Sequence, residues 1–395
     1  MVTTLPVEDS APWVSADRST TAGTPLGLYV HVPFCERRCG YCAFNTYVLS
    51  ESGGAAATER YVAAALAEIV LASHAIGSER PPLTSIYFGG GTPTMLSAGQ
   101  LARIIAAVRR TFDVRDDLEV TVESNPDGLA PGQLADLRDA GATRVSFGMQ
   151  SIRRRVLQLL DRTHDPERAL VAVAEARAAG FDHVSRDLIY CTPGETEDDW
   201  TATLRAALST TVDHISAYAL GIEPGTKLAA RVRHGALPNP DDDVAADRYL
   251  VADDMLAAAG FDWYEISNWA TSADAQCRHN LLYWRNHNWW GIGPGAHSHL
   301  GGTRWWNRDA PDAWAAALDE HRSPVAGHEH LTEDQRRLED VMLGLRLSEG
   351  LELASERSAE VERDGLATRE RGLLVLSRPG RLLANQVIDR VALTD

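Results

Sequence analysis

The stretch YVHVPFCERRCGYCAFN, residues 29 to 45, carries three of the chain's five cysteines, Cys35, Cys39 and Cys42, and has Phe44 where a further thiol would fall. Three small core residues would not be interspersed with Arg37, Arg38 and Gly40. A structural zinc ion takes four tetrahedral nitrogen or sulfur ligands, and His31 is the one nearby candidate for the fourth. An iron-sulfur cluster normally takes four thiolates. With three, one iron has no protein ligand and is open to an exchangeable small molecule, and this chemistry suits the loop best.

Other stretches could serve the same chemistry. GGGTPT (89 to 94) lets backbone amides approach a ligand that side chains would exclude, and Thr92 adds a hydroxyl. Alone it equally suits a tight turn, and it lacks the Gly-Lys-Ser/Thr ending of a phosphate loop. GIGPGAHS (291 to 298) does not follow a first strand, so it reads as a turn and not as a dinucleotide fingerprint. CRHNLLYW (277 to 284) sets His279 among aromatic residues, where a lone histidine is usually packed and hydrogen-bonded. Eight of the ten tryptophans fall between 263 and 314. Flat rings suit a planar ligand, and they suit a core equally well.

Between residues 25 and 235, β-rich runs alternate with helical stretches, as in a parallel sheet wrapped by helices. Strands are expected at 28–32, 84–89, 118–124, 143–150, 183–190 and 214–220. Gly141, Gly180 and Gly260 each sit where a helix should end in a left-handed residue. Six units are fewer than the eight of a closed barrel, so the fold class is α/β, an open partial (β/α)6 barrel with a smaller C-terminal α/β, winged-helix-like module. Chemistry in such barrels gathers at the C-terminal ends of the strands. GGGTPT, Glu123 and Gln150 fall at those ends, with Asp187 inside the fifth strand. Residues 1–24 read as a disordered tail and 236–395 as a C-terminal region containing the aromatic segment 263–314. There Thr332 should cap a helix running to Gly350, followed by a strand pair and a final helix.

Composition removes other classes. The 395 residues are 44% hydrophobic with a net charge of -17, which opposes extended contact with nucleic acid. The first residues lack the basic and apolar regions of a signal peptide. The most apolar helical stretch contains Glu68 and is too short to cross a bilayer. Five unevenly spaced cysteines fit a reducing cytoplasm better than a disulfide framework.

With Tyr41 before the third cysteine, the C-x3-C-x2-C loop resembles that of the radical S-adenosylmethionine (SAM) superfamily. The resemblance implies a 4Fe-4S cluster on Cys35, Cys39 and Cys42, whose open iron chelates the amino and carboxylate groups of SAM. Gly90, Gly91 and Thr92 would then hold the methionine end, and one-electron reduction of the sulfonium would release a 5'-deoxyadenosyl radical.

YVHVPFC, FGGGTPT, ESNPDGL, SFGMQS, LDRTH, DLIYCTPGET and YALGIEPGT recur in the order found in the oxygen-independent coproporphyrinogen III oxidase-like group. Cys191 stands where that pattern commonly has glycine. By this resemblance Tyr29, Gly90, Thr92, Glu123, Gln150, Arg162 and Asp187 contact SAM. Arg162 with Asp187 equally suits an ion pair at the rim, and Glu123 and Gln150 suit structural hydrogen bonds. The oxidase branch has a fourth cysteine at position 44, whereas the HemW-like branch has an aromatic residue there. That branch also carries H-N-x-x-Y-W, which implies heme-iron ligation by a neutral nitrogen of His279, with Asn280, Tyr283 and Trp284 lining the pocket. Cys277 and His287 are competing ligands. The implied function is a heme chaperone that delivers heme to respiratory hemoproteins, with an electron donor, little or no SAM turnover and at most transient docking on membrane proteins. Oxidative decarboxylation of coproporphyrinogen III and a two-SAM radical methyltransferase are the alternatives, and no catalytic residue is assigned.

Overall fold

The computed structural model describes residues 11–14, 23–353 and 355–392. All six expected β-runs form strands: β1 (Leu26–Val32), β2 (Leu83–Gly90), β3 (Val114–Ser124), β4 (Arg144–Gln150), β5 (His183–Tyr190) and β6 (His214–Ala219). They pair in parallel in that order. Parallel neighbours need long crossovers. These contain α1 (Ala55–Ile76), α2 (Ala98–Thr111), α3 (Gln133–Asp139), α4 (Pro166–Ala178) and α5 (Glu197–Leu208). Gly141, Gly180 and Gly260 take φ of 105°, 84° and 85°, as the helix ends require.

Strand side chains alternate between the two faces of the sheet. Val145, Phe147, Met149, Val184, Leu188, Ile215 and Ala217 are buried in one apolar core with Ala169, Val173, Trp200 and Leu204 of the helices. The intervening Ser146, Gln150, Asp187 and Ser216 line the barrel interior. Apolar burial outside thus fixes which polar residues face inward.

The sheet does not stop at residue 235. β7 (Asp262–Glu265) and β8 (Asn268–Ala270) follow α6 (Asp242–Ala258), and β8 pairs with β6. After α7 (Arg278–Trp284), β9 (Asn288–Ile292) lies parallel to β1, and β10 (His297–Leu300), β11 (Thr303–Asn307) and β12 (Val325–His330) continue outward antiparallel. Among the described residues the order is β12-β11-β10-β9-β1-β2-β3-β4-β5-β6-β8-β7. An open barrel leaves two unpaired edges. Residues after 235 cover both, so the boundary expected there falls within one sheet.

The terminal module has its own small core around Leu345, Val361, Leu374 and Val387. Thr332 caps α8 (Glu333–Gly344) in a reciprocal pair with Gln335. The helix ends at Gly344, short of the expected Gly350, because the chain turns to bridge Leu347 to Glu265 and Leu351 to Leu374. Gly350 has φ of 73° there, and a Cβ would stand 2.6 Å from the Leu374 carbonyl. The strand pair β13 (Ala367–Glu370) and β14 (Leu373–Leu376) and the last helix, α9 (Ala384–Ala392), form as read.

Within the stretch read as a disordered tail, Pro12–Val14 forms a 3-10 turn, and residues 1–10 and 15–22 lie outside the described residues. Trp13 is 2% exposed. Its ring stands 5.2 Å from Trp290 and 5.9 Å from Trp305. Trp269, Trp290, Trp305 and Trp314 are likewise core residues, so the aromatic segment chiefly packs the sheet extension.

Glu68 joins the two parts. Its buried carboxylate accepts hydrogen bonds from Gly293 N at 2.9 Å, Asn307 Nδ2 at 2.7 Å and Trp314 Nε1 at 2.9 Å. Burial pushes its pKa up to about 7, against about 4.3 in an unfolded chain. The stability tied to its protonation is therefore complete below the unfolded value and lost as pH rises through the folded one. Glu68→Gln cannot titrate. The melting temperature of the wild type should fall relative to that of Glu68→Gln as pH is raised from about 5 to about 8, and a constant difference would refute the shift.

Candidate functional site

A cavity of about 550 Å³ opens at the C-terminal ends of the barrel strands and runs down the barrel interior. Cys35, Cys39 and Cys42 line it, as do Tyr41, Gly90, Gly91, Thr92, Glu123, Gln150, Arg162 and Asp187. Nearly the whole expected SAM set is thus brought together. Tyr29 is the exception: its hydroxyl meets His31 Nδ1 at 3.0 Å, and its ring stacks 6.3 Å from Tyr87, off the cavity wall.

The cysteines occupy the loop that leaves β1. Thr92 Oγ1 lies 3.8 Å from Cys35 Sγ, and Arg162 Nη1 lies 3.7 Å from Cys39 Sγ. Cys42 Sγ accepts from the Phe44 amide. Burial pushes the Cys35 thiol up to about 11 and raises that of Cys42. These thiols must lose protons to a metal, and the guanidinium and amide favour the thiolate form. Among the described residues no three ligating side chains converge as they would on a single ion. Cluster thiolates need not converge in that way, because each binds a different iron.

The glycines have another cause than expected. Gly91 N donates to Val32 O and Thr92 N to Phe34 O, both at 2.8 Å, so these amides hold the cluster loop and do not face a ligand. A Cβ on Gly91 would stand 2.6 Å from Phe34 O. Gly90, at φ 105°, would place one 2.5 Å from the His31 ring. The chain's approach to itself is what excludes side chains here.

Glu123, next to last in β3, accepts from Tyr87 OH at 2.7 Å and from the Gly90 amide, and is pushed up to about 7 by burial. Asp187 accepts from Ser146 Oγ at 3.1 Å and from the Ser216 hydroxyl, and burial raises it too. Arg162 donates to Gly148 O at 2.6 Å, so its guanidinium serves the β4 end and Cys39. Gln150 sits at φ 61°, where the β4–β5 register shifts. Such strain in a non-glycine residue persists only where the surroundings over-determine it. Cys191 likewise takes φ 62°, a left-handed conformation that glycine adopts more readily. Thr121 Oγ1 and Arg162 Nε are buried without a partner among the described residues, and both residues line the cavity. A polar zwitterion would satisfy such a wall, and two carboxylates would favour a cationic group beside them.

The H-N-x-x-Y-W segment is placed differently from the heme-ligating reading. It forms α7, near Gly27 and Ser85 at the N-terminal ends of β1 and β2. His279 is 0% exposed. Its Nδ1 lies 2.8 Å from Ser85 Oγ and its Nε2 2.9 Å from Tyr283 OH. Burial pushes its pKa down to about 3. With both ring nitrogens engaged, His279 has no lone pair free for iron in this conformation. Tyr283 and Trp284 do not face the cavity, while Asn280 and Cys277 line it. Cys277 Sγ lies 3.7 Å from Glu119 Oε1, and His287 is half-buried.

The radical SAM superfamily profile matches residues 29–207. Over 372 residues the chain is 49% identical to the heme chaperone HemW of Mycobacterium tuberculosis, covering 93% of this chain and 94% of that protein. The chain belongs to the HemW family of the radical SAM superfamily. The heme chaperone HemW of Bacillus subtilis is 32% identical over 376 residues, covering 91% and 97% of the two chains. Among solved structures, coproporphyrinogen III oxidase (HemN) from Escherichia coli, described as a radical SAM enzyme, superposes with a TM-score of 0.81 at 24% identity over 95% of this chain and 92% of that one. That likeness confirms the fold. The superfamily implies a 4Fe-4S cluster and SAM, and the cavity residues suit both.

Sequence reading missed Tyr87, Asn125, Ser146 and Ser216. Asn125 Nδ2 donates to Thr92 Oγ1 at 3.1 Å. For Tyr87, Ser146 and Ser216 the available signal was the period-two placement of polar residues in otherwise apolar strands, and for Asn125 its place in ESNPDGL just past β3. If SAM occupies this cavity, Glu123→Gln in cluster-loaded protein should weaken its binding about tenfold or more, the scale of a hydrogen bond to a charged group. Anaerobic calorimetric titration measures this, and an unchanged affinity would place SAM elsewhere.

Proposed function

We propose that this HemW-family protein holds a 4Fe-4S cluster on Cys35, Cys39 and Cys42, binds SAM in the barrel cavity and carries heme to respiratory hemoprotein partners, supplied with electrons by a separate donor. The observation that carries this reading is the three-thiol loop at the mouth of a cavity into which Glu123, Asp187 and Arg162 project, with Phe44 and not a fourth thiol beside it. When bound, the cluster supplies a one-electron reductant with an iron open to SAM. Thr92 and Asn125 form one wall, Glu123 and Asp187 offer acceptors, and Arg162 offers cationic donors. The heme-chaperone name of the two relatives supports heme as cargo.

Because His279 is enclosed, heme is best met at the cavity mouth. Phe44 is 64% exposed there, and Arg37 and Arg38 line the same opening. An apolar ring with two guanidiniums matches a flat macrocycle carrying two carboxylates. Cytoplasmic placement rests on the cysteine usage; among the described residues no helix is long and apolar enough to cross a membrane.

Heme titration of cluster-loaded protein should show stoichiometric uptake, followed by transfer to an apo-hemoprotein. Phe44→Ala and the double change Arg37→Ala with Arg38→Ala should each weaken uptake about tenfold, equivalent to about 1.4 kcal/mol, and His279→Ala should not. Loss in His279→Ala alone, with the fold intact, would instead place heme on α7. Formation of protoporphyrinogen from coproporphyrinogen would overturn the chaperone reading.

A further inference from the structure

The far end of the cluster loop is held by residues outside the cysteine motif. Asn45 Nδ2 donates to Pro294 O at 3.1 Å and to Asp309 O at 2.8 Å. Tyr47 OH donates to the same Asp309 carbonyl at 3.2 Å. The Asn45 carbonyl meets His31 Nε2 at 2.9 Å, closing the loop back onto β1. Only Ala43 and Phe44, both exposed, separate Asn45 from Cys42. Asn45 is therefore the first residue after the last thiol whose side chain is tied to the rest of the protein, and it adjoins Phe44, whose amide donates to Cys42 Sγ.

One partner of Asn45, Pro294, lies in the Gly293–Gly295 turn that follows β9, and the other, Asp309, follows β11. The turn is cramped against the loop. Gly293, at φ 111°, would place a Cβ 2.5 Å from His31 O, and Gly295, at φ 70°, would place one 2.7 Å from Asn45 Nδ2. Its other side is fastened to Glu68 through Gly293 N at 2.9 Å, and Asn307 Nδ2 bridges Glu68 Oε1 at 2.7 Å and Gly293 O at 2.9 Å. One buried carboxylate, one turn and one amide thus link α1 and the sheet extension to the loop.

We propose that Asn45 and Tyr47, tied to the Asp309 carbonyl and through Asn45 to the Gly293–Gly295 turn anchored on Glu68, form a strut that sets the position of the cluster loop from Cys42 to Tyr47, with Asn45 as a positioning residue for the cluster. The inference rests on reading Cys35, Cys39 and Cys42 as cluster ligands. Residues that orient metal ligands from outside commonly change metal affinity 10–100-fold when altered.

The test uses the full chain loaded with its cluster, comparing wild type, Asn45→Ala, the gentler Tyr47→Phe, and Arg60→Ala, which removes a surface ion pair to Asp312 on the same side of the joint. Two quantities are read: the electron paramagnetic resonance g values of the reduced cluster, and its rate of loss in air. Asn45→Ala should shift the g values and lose the cluster about tenfold faster. Tyr47→Phe should change both in the same direction by less, and Arg60→Ala should match the wild type. The melting temperature of the metal-free chain should be the same for wild type and Tyr47→Phe, which separates positioning from general stability. Wild-type g values and loss rates in both Asn45→Ala and Tyr47→Phe would overturn the strut. If the wild type takes up no iron and sulfide, the cluster reading has failed instead.

Discussion

The constraint on which the site depends is that three half-buried thiols must be kept close together on a short loop without a fourth to complete a metal site. Burial opposes ionisation of Cys35, whose thiol is pushed up to about 11, and of Cys42. A cluster must therefore draw off protons as it binds, and the protein helps with the Arg162 guanidinium and the Phe44 amide. The loop itself has little regular structure beyond the two-residue strand Phe34–Cys35, which pairs with Tyr47–Val48. It is held from outside: by Gly91 and Thr92 amides on one side, and by Asn45 on the GIGPG turn on the other.

That dependence explains why the C-terminal region cannot be treated as an appendage. β9 pairs in parallel with the free edge of β1 and carries the turn that meets the loop. Glu68 fastens the turn to α1 with donors from three separate places in the extension. Capping a barrel edge and supporting the loop are served by the same strands. At the other end of the barrel, α7 brings Asn280 and Cys277 to the cavity while His279 turns away into its bonds with Ser85 and Tyr283.

Much of this was legible in the sequence, for identifiable reasons. The six barrel strands are short β-rich runs, two of them entered directly from the helix-ending Gly141 and Gly180, and the local signals agree with the fold, so they were found. The cluster loop is legible because its residue types are rare and closely spaced. The glycine run was located correctly, but its cause was not, since approach of the chain to its own backbone depends on register. The left-handed Gln150 and the parallel seating of β9 on β1 were invisible, because both are set by tertiary pairing. His279 shows the limit of motif reading: the pattern suggested an iron ligand, whereas the ordinary expectation for a histidine among aromatics, packed and hydrogen-bonded, describes its surroundings. Cys191 shows the converse, since the resemblance suggested glycine there and its backbone takes the left-handed conformation that glycine favours.

The most direct test of the account is Mössbauer spectroscopy of the protein reconstituted anaerobically with isotopically enriched iron, recorded with and without SAM. A cluster gripped by Cys35, Cys39 and Cys42 predicts that one iron site changes its isomer shift when SAM is added while the others do not. A spectrum without cluster iron, or one in which no site responds to SAM, would contradict it.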